Sequence, residues 1–301
     1  MRLIAVVGPT ATGKSDLGLA LAHAYDGEVV NADAMQLYRG LDVGTAKLAP
    51  AERAGVPHHL LDVLDVTETA SVAAYQRAAR KAVEDVLAAG RTPVLVGGSG
   101  LYVQAVVDEL EFPGTEPALR AELAAELDEH GPAALHVRLA AVDPSAAAAI
   151  LPSNGRRIVR ALEVIALTGR PFAARLPELA APRYDAVLLG LDRSTEDLDG
   201  AVARRVARMF AAGLVAETRG LLPGLREGQT ASRALGYQQV LSALDGRTEF
   251  ATAAADTVVA TRRFVRRQRS WFRRDRRIVW MDAGASDVLG RAHAAITASV
   301  P

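Results

Sequence analysis

A glycine-rich segment near the start of the chain carries the most specific chemical pattern. Residues 8–15 read GPTATGKS and match the pattern GxxxxGK[ST] in full. This segment, called the P-loop below, consists of Gly8, Pro9, Thr10, Ala11, Thr12, Gly13, Lys14 and Ser15. Its glycines let backbone N–H groups close around phosphate oxygens, its lysine adds a mobile cation, and its serine hydroxyl can bind Mg²⁺. The pattern predicts a polyphosphate site with magnesium and does not by itself select ATP.

Two polar residues follow strands later in the chain. Asp33 ends the predicted strand 28–33, and Ser99 follows the predicted strand 93–96. The carboxyl ends of parallel strands lie side by side, next to the P-loop. Asp33 is therefore predicted to act as a general base on a nucleophile that attacks a phosphorylated electrophile. The alternatives are a cap or turn role for Asp33 and an ordinary loop serine at position 99.

An arginine-rich segment at 257–274 predicts an amphipathic helix. One narrow stripe of this helix carries Arg262, Arg266, Arg269 and Arg273, opposite Phe264, Val265, Trp271 and Phe272. Such a face is typical of a surface that binds a phosphate backbone. A solvated charged face, or arginines paired with core carboxylates, is the alternative. A shorter basic group contains Arg156, Arg157 and Arg160, whereas Arg233 is unremarkable from the sequence alone.

The elements that position these residues follow an α/β rhythm. Apolar, β-branched runs at 3–7, 28–33 and 93–96 alternate with helical patterns at 15–24 and 71–89. This alternation predicts a parallel sheet flanked by helices. Alanine-rich helical patterns replace strands after Pro113-Gly114, and strand character returns at 186–191 and 278–281. The prediction is a P-loop-type α/β core, residues 1–111 and 184–301, with an all-helical insertion domain at 112–183.

Composition excludes several other classes of protein. The 301 residues include 35 Lys plus Arg and 35 Asp plus Glu, so the formal net charge is zero and gives no hint of a nucleic-acid partner. The chain has no cysteine, which excludes disulfides, thiolate zinc sites and cysteine nucleophiles. No apolar run reaches the roughly 18 residues that span a membrane. We expect a cytoplasmic protein with no membrane partner.

Taken together, the motifs resemble the tRNA isopentenyltransferase family, which has a P-loop fold. The resemblance runs across nearly the whole chain. The matching segments are GPTATGKS (8–15), NADAMQLYRGLDVGTAK (31–47), VPHHLLD (56–62), LVGGSGLY (95–102), GRRIVRALEV (155–164), SRALGYQQ (232–239) and RRQRSWFR (266–273). The P-loop alone is not specific, but this combination is.

The resemblance implies a particular reaction. The P-loop is expected to bind the diphosphate of dimethylallyl diphosphate with Mg²⁺, and Asp33 to accept a proton from N6 of the adenosine beside the anticodon. Ser99 would position the reacting groups and Arg233 would stabilise the leaving diphosphate.

The resemblance also implies a tRNA anticodon stem-loop as partner, and we expect the protein to be a monomer. Contacts with the flipped base are expected from Asp33, Ala34, Met35 and Gln36. Contacts with the stem-loop are expected from Arg156, Arg157, Ile158, Val159 and Arg160 of the insertion. Many members have serine where this chain has Ala34, so a contact from that side chain is not carried over.

Three alternatives stay open at this point. A small-molecule or nucleoside kinase would place ATP in the P-loop, although no acid follows the strand 93–96 and the arginine helix does not favour it. A noncatalytic RNA-binding module is the second alternative, and the complete P-loop does not favour it. A transferase that acts on free adenine nucleotides is the third, and the arginine helix and the insertion favour tRNA over it.

Overall fold

The computed structural model describes residues 2–172 and 179–299. The chain divides into two compact units, Met1–Glu109 with Ala181–Pro301 and Leu110–Ala180. Within the described ranges, no helix combines the length and the apolar character needed to cross a membrane.

One sheet of six parallel strands forms the centre of the first unit. The strands are β1 Ile4–Val7, β2 Gly27–Asn31, β3 His58–His59, β4 Thr92–Gly97, β5 Val187–Asp192 and β6 Val279–Asp282. Their order is β3-β2-β4-β1-β5-β6, so β1 lies between β4 and β5. The predicted α/β class is confirmed. Only the two-residue edge strand β3 has no counterpart among the predicted strands.

The described part of the chain contains twelve α-helices. They are α1 Lys14–Ala24, α2 Val72–Ala88, α3 Gly100–Val107, α4 Pro117–Val142, α5 Pro144–Ala149, α6 Gly155–Thr168, α7 Thr195–Ala211, α8 Leu214–Gly220, α9 Gly224–Glu227, α10 Tyr237–Leu244, α11 Phe250–Phe272 and α12 Val288–Ala298. Helices α4 to α6 belong to the second unit and the others to the first.

Helices cover both faces of the sheet because alternate residues of each strand point to opposite sides. On one face Val7 packs in a buried cluster with Val83 of α2 and Val106 of α3. On the other face Val6 packs with Leu21 of α1, in a cluster that also includes residues of α12. Strands buried on both faces read as continuous apolar runs, which is why the sequence predicts them well.

The second unit has its own apolar core, formed by α4, α5 and α6. Helix α4 is interrupted at Gly131, which has φ +76° and ψ 166° and precedes Pro132. The core includes Leu123 and Leu139 of α4 and Ile158 of α6, all nearly inaccessible to solvent. The sequence pattern of helices separated by Gly131-Pro132 therefore corresponds to a real break.

Candidate functional site

The P-loop connects β1 to α1, as its pattern predicts. Gly8 has φ +134°, and a Cβ there would overlap the carbonyl oxygen of Leu191 on β5. Gly13 has φ +83° and directly precedes the first residue of α1. A side chain at Gly8 is therefore excluded, and the loop backbone turns closely around the N-terminus of α1, where backbone N–H groups attract anions.

Gln268 of α11, for which the sequence suggested no role, holds the P-loop in place. The buried Gln268 of α11 accepts a hydrogen bond from Thr10 N (2.9 Å) and donates one from Nε2 to Gly98 O (2.9 Å). It thus ties the P-loop to the loop after β4. The signal was available in the sequence, because Gln268 is a single uncharged polar residue within a run of arginines on the side of the helix that carries Val265 and Phe272.

Lys14 lies at the start of α1 with its amine directed back into the loop. Its Nζ donates to the carbonyl oxygen of Pro9 at 2.6 Å. The pKa of Lys14 is lowered to about 7, mainly by burial and then by the charge of Arg205, whereas the Asp33 carboxylate acts in the opposite direction. A bound anion would favour the charged form of this amine and so raise its pKa.

Asp33, two residues past β2, is held by hydrogen bonds to its backbone. The buried Asn31 side chain accepts from Asp33 N (2.9 Å) and donates to Asp33 O (3.0 Å). The Asp33 carboxylate accepts from Met35 N (2.9 Å) through Oδ1. One carboxylate oxygen is thereby oriented. Oδ2 forms no hydrogen bond or ion pair with the described residues, so a general-base role is geometrically open.

Ser99 holds the chain beside Asp33. Its Oγ accepts from Ala34 N at 3.1 Å, and its backbone N–H donates to Ala32 O at 3.2 Å. At Gly97 a Cβ would overlap the backbone of Ala32, so the ends of β2 and β4 are in direct contact. The predicted neighbourhood of Asp33 and Ser99 is present in the structure. The serine acts here through its bond to the loop that follows the aspartate.

Two cavities meet at Asp33. The phosphate cavity, about 460 Å³, is lined by Thr10, Ala11, Gly13, Lys14 and Ser15 of the P-loop, together with Asp16, Asn31, Gln36, His58, Arg193, Arg204 and Arg208. The apolar cavity, about 310 Å³, is lined by Ala34, Met35, Ser99, Val206, Met209, Arg233, Leu235, Phe264 and Arg267. Four residues line both, namely Thr10, Asp33, Thr45 and Arg205. A group bound in one cavity therefore faces a group bound in the other across Asp33.

The remaining residues predicted around the base divide between the cavities. Ala34 and Met35 line the apolar cavity, whereas Gln36 lines the phosphate cavity and donates from Nε2 to Thr45 O at 3.3 Å. Arg233 is exposed and lines the apolar cavity alone. The arginines of α7, at 204, 205 and 208, were missed. Their spacing was visible in the sequence, but which face of α7 lies over the P-loop was not.

The stripe of α11 is largely paired with carboxylates. Arg269 Nε donates to Asp192 Oδ1 at 2.8 Å, and Arg273 donates to Asp192 Oδ2 at 3.0 Å. Arg262 lies 3.6 Å from a carboxylate oxygen of Asp199. Three of the four predicted RNA contacts thus have internal partners, the alternative that the sequence left open. Arg266 is exposed and forms no ion pair in the described chain.

The basic group of the insertion lies at the start of α6. Arg156 and Arg157 are exposed, whereas Ile158 and Val159 are buried in the core of the second unit. Arg160 pairs with the fully buried Glu163 at 2.7 Å and donates to Pro113 O at 2.6 Å. The side chains of Ile158 and Val159 pack in this core and are not exposed for contact with RNA. The contacts predicted for Arg156 and Arg157 stay a prediction.

The phosphate cavity fits a magnesium ion. No group of three or more His, Asp or Glu side chains that could hold a metal by itself is present among residues 2–172 and 179–299. Mg²⁺ commonly keeps several waters and binds through one or two protein oxygens plus substrate phosphates. The exposed Ser15 and the carboxylate of Asp16 line this cavity and supply hard oxygen donors of this kind.

The fold and the site define a P-loop α/β protein with a phosphate cavity next to an apolar one. A family model described as IPP transferase matches residues 36–275. A "tRNA dimethylallyltransferase" of Salinispora arenicola is 64% identical over 298 residues, which cover 99% of this chain and 87% of the relative. The chain therefore belongs to the IPP transferase family.

Solved structures agree with this membership. The tRNA isopentenylpyrophosphate transferase of Bacillus halodurans is 38% identical, with a TM-score of 0.73 over 99% of this chain and 96% of that one. A eukaryotic dimethylallyltransferase described as acting on tRNA has a TM-score of 0.83 at 23% identity, covering 100% of this chain and 81% of that one. The second likeness concerns the fold alone.

Proposed function

We propose that this chain is a tRNA dimethylallyltransferase. It transfers a dimethylallyl group from dimethylallyl diphosphate to N6 of the adenosine on the 3′ side of the anticodon and releases diphosphate. The single observation that carries the proposal is the position of Asp33 between the phosphate cavity and the apolar cavity. The names of close relatives, which span almost the whole chain, point to the same activity.

In the proposed mechanism the P-loop holds the diphosphate. Loop N–H groups, the start of α1 and Lys14 bind its oxygens, and Ser15 would contribute to holding Mg²⁺. The metal, when bound, neutralises part of the diphosphate charge. Gln268 keeps Thr10 in place by accepting its N–H. Preorganised donors of this kind favour departure of the diphosphate because they need no rearrangement as charge develops.

Asp33 serves as the proton acceptor. The exocyclic amine of adenine is a poor nucleophile because its lone pair is delocalised into the ring. A carboxylate within hydrogen-bond reach assists the attack by accepting the proton as the bond from N6 to the allylic carbon forms. Asn31 and Ser99 fix the backbone on either side of Asp33. The flipped adenine is proposed to lie in the apolar cavity, where burial favours an unstacked base.

The proposal extends to the partner and its setting. The anticodon stem-loop is bound by exposed arginines of the insertion, residues 112–183, and by Arg266 of α11. The enzyme works as a monomer in the cytoplasm. Support for the monomer is that every residue lining the two cavities belongs to the first unit of one chain.

Nucleoside analysis of tRNA tests the proposal. Unmodified tRNA is incubated with the protein, Mg²⁺ and dimethylallyl diphosphate, then digested and analysed for N6-dimethylallyladenosine. The same assay with AMP distinguishes a transferase for free nucleotides. Phosphoryl transfer from ATP distinguishes a kinase, which the missing acid after β4 does not favour. Product with tRNA and none with AMP or ATP is expected, and the reverse pattern contradicts the proposal.

A further inference from the structure

Glu217 of α8 binds three successive backbone N–H groups of residues 42–45, called the 42–45 loop below. Its Oε2 accepts from Val43 N at 2.8 Å and from Asp42 N at 3.3 Å, and its Oε1 accepts from Gly44 N at 3.3 Å. Glu217 is half-buried and forms no ion pair within residues 2–172 and 179–299. Its charge is therefore stabilised by backbone N–H groups, which bind anions when several of them point to one place.

Tyr237 of α10 completes this contact. Its hydroxyl donates to Glu217 Oε1 and accepts from Gly44 N at 3.1 Å. Tyr237 is fully buried, and a Cβ at Gly44 would lie only 2.3 Å from its ring. Burial, and then the Glu217 carboxylate, raise the pKa of Tyr237, so its hydroxyl keeps its proton. The 42–45 loop is therefore held by hydrogen bonds and by close packing on the tyrosine ring.

Two of the segments that carry the family resemblance meet at Glu217. Gly44 lies in the segment 31–47 and Tyr237 in the segment 232–239, whereas Glu217 lies in neither. The reaction proposed above gives no role to any of these three residues. Their contacts show what joins the two segments in the folded protein.

The 42–45 loop ends at Thr45, a buried residue that lines both cavities. The carbonyl oxygen of Thr45 accepts from Gln36 Nε2 at 3.3 Å and from Arg205 Nη2 at 2.9 Å. Gln36 lines the phosphate cavity, and Arg205 lines both cavities. A shift of the loop would therefore move polar groups on the walls of both cavities. Glu217 itself lines neither cavity, so its effect on them passes through the loop.

Resting on the proposed function, we propose that Glu217 is a positioning residue for prenyl transfer. By binding the N–H groups of the 42–45 loop, it fixes Thr45 between the two bound substrates. The diphosphate is proposed to bind to the P-loop, and the tRNA to exposed arginines elsewhere. Loss of Glu217 should therefore lower kcat and leave KM for both substrates near the value of the parent.

Steady-state prenyl transfer, at a temperature well below the melting temperature of every variant, tests this role. Glu217→Ala is expected to lower kcat by about 10- to 100-fold, because a misplacement of about 1 Å away from the reacting atoms can cost about 10² in rate. Glu217→Gln keeps one oxygen that can accept from the loop N–H groups. Its kcat should lie between that of Glu217→Ala and that of the parent, and it carries the test if Glu217→Ala does not fold.

Hydrogen exchange of peptides that cover residues 41–47 tests the anchoring of the loop without any substrate. Exchange of these peptides should be faster in Glu217→Ala than in the parent, and intermediate in Glu217→Gln. Unchanged exchange in both variants overturns the inference, because Glu217 would then not hold the loop.

Two control variants separate positioning from loss of stability. Asp108→Asn removes a charge from the pair with Arg277 (2.7 Å) and lines neither cavity, so it should lower the melting temperature and keep kcat. Glu227→Ala, at an exposed position of α9, should change neither.

Three kinetic outcomes overturn the positioning role of Glu217. They are a parent-like kcat for Glu217→Ala, a loss confined to KM, and an equal loss of kcat in Asp108→Asn. If the parent itself forms no N6-dimethylallyladenosine, the proposed function fails and the positioning role fails with it. An active parent with a parent-like Glu217→Ala overturns the role of Glu217 alone.

Discussion

Asp33 is oriented by neutral hydrogen bonds, with no ion pair to hold its charge among the described residues. Asn31 binds both backbone groups of Asp33, and Met35 N–H occupies one carboxylate oxygen. This arrangement leaves the second oxygen for a substrate proton. A substitution at Asp33 can therefore remove the basicity of the carboxylate while it keeps the orientation of the side chain.

Asp33→Asn makes that separation. The amide oxygen can still accept from Met35 N–H, so the loop should keep its shape, but the side chain can no longer take a proton. We expect the single-turnover rate to fall by about 10² to 10⁴, as is typical for loss of a general base. Binding of tRNA and of diphosphate should be retained. A variant that keeps a parent-like rate would show that another group accepts the proton.

Lys14 gives a second prediction, because its amine loses its charge near neutral pH. With a pKa of about 7, Lys14 is charged below this value and largely neutral above it. A bound anion favours the charged form, so diphosphate affinity should fall as the pH rises above about 7, with a proton taken up on binding. Calorimetric titration with inorganic diphosphate in buffers of different ionisation enthalpy measures both effects.

Lys14→Arg is the control for this pH dependence. Its guanidinium stays charged throughout the range, whereas the ionisation of diphosphate itself is the same for both proteins. The difference between the two titrations therefore reports on Lys14. Identical pH profiles would mean that the Lys14 amine is already charged in the free protein throughout this range.

At the scale of single elements, α11 carries arginines of two kinds, one paired with a carboxylate of the protein and one exposed to solvent. Arg269 pairs with Asp192, whereas Arg266 is exposed. If Arg266 contacts an RNA phosphate, Arg266→Gln should weaken tRNA binding and reduce the slope of log affinity against log salt by roughly one unit. Arg269→Gln should instead lower the free energy of unfolding by about 2 kcal/mol, since it leaves Asp192 with fewer partners.

Salt-titrated tRNA binding and thermal melts of both variants decide between these uses. The two substitutions are chemically the same change on one helix, so each controls the other. An unchanged salt slope for Arg266→Gln would remove Arg266 from the phosphate-binding surface and leave Arg156 and Arg157 of α6 as the predicted contacts.

How well a helix or strand could be predicted from the sequence depends on how it is buried. The inner strands could be predicted because burial on both faces leaves a continuous apolar run, as in residues 3–7. Strand β3 could not, since two residues carry no periodicity. Asp33 and Ser99 could be brought together from strand topology alone. The α7 arginines could not, because their approach to the P-loop depends on how α7 packs across the sheet.

At the scale of the whole molecule, a buried charge stabilises the second unit. Glu163 of α6 is inaccessible to solvent and is bound by Arg120 (2.5 Å) and Arg160 (2.7 Å). Its burial would raise the pKa of the carboxyl, but the hydrogen bonds from the two arginines outweigh burial and hold it below the usual value. The contribution of Glu163 to stability is therefore full above the pKa of the unfolded carboxyl and is lost as the pH falls through the lower folded value.

Glu163→Gln should destabilise the second unit by about 3 kcal/mol at neutral pH, because it leaves two arginines without their buried partner. The gap between variant and parent should narrow as the pH falls, since the parent carboxyl is then protonated. Hydrogen exchange of peptides from residues 110–172 measures this unit separately. Glu122→Gln, at an exposed position of α4, is the control and should leave exchange unchanged.

The meeting of the two cavities at Asp33 has a consequence for side reactions. An allylic diphosphate ionises readily, and the same base that activates an amine can activate a water molecule. In the proposed mechanism, dimethylallyl diphosphate that binds without tRNA leaves the apolar cavity open to water, next to its reactive carbon. An adenine bound in that cavity would displace this water and protect the donor from hydrolysis. We therefore expect the protein to hydrolyse a small fraction of the dimethylallyl diphosphate to dimethylallyl alcohol when tRNA is scarce. Almost no alcohol should form when tRNA is abundant.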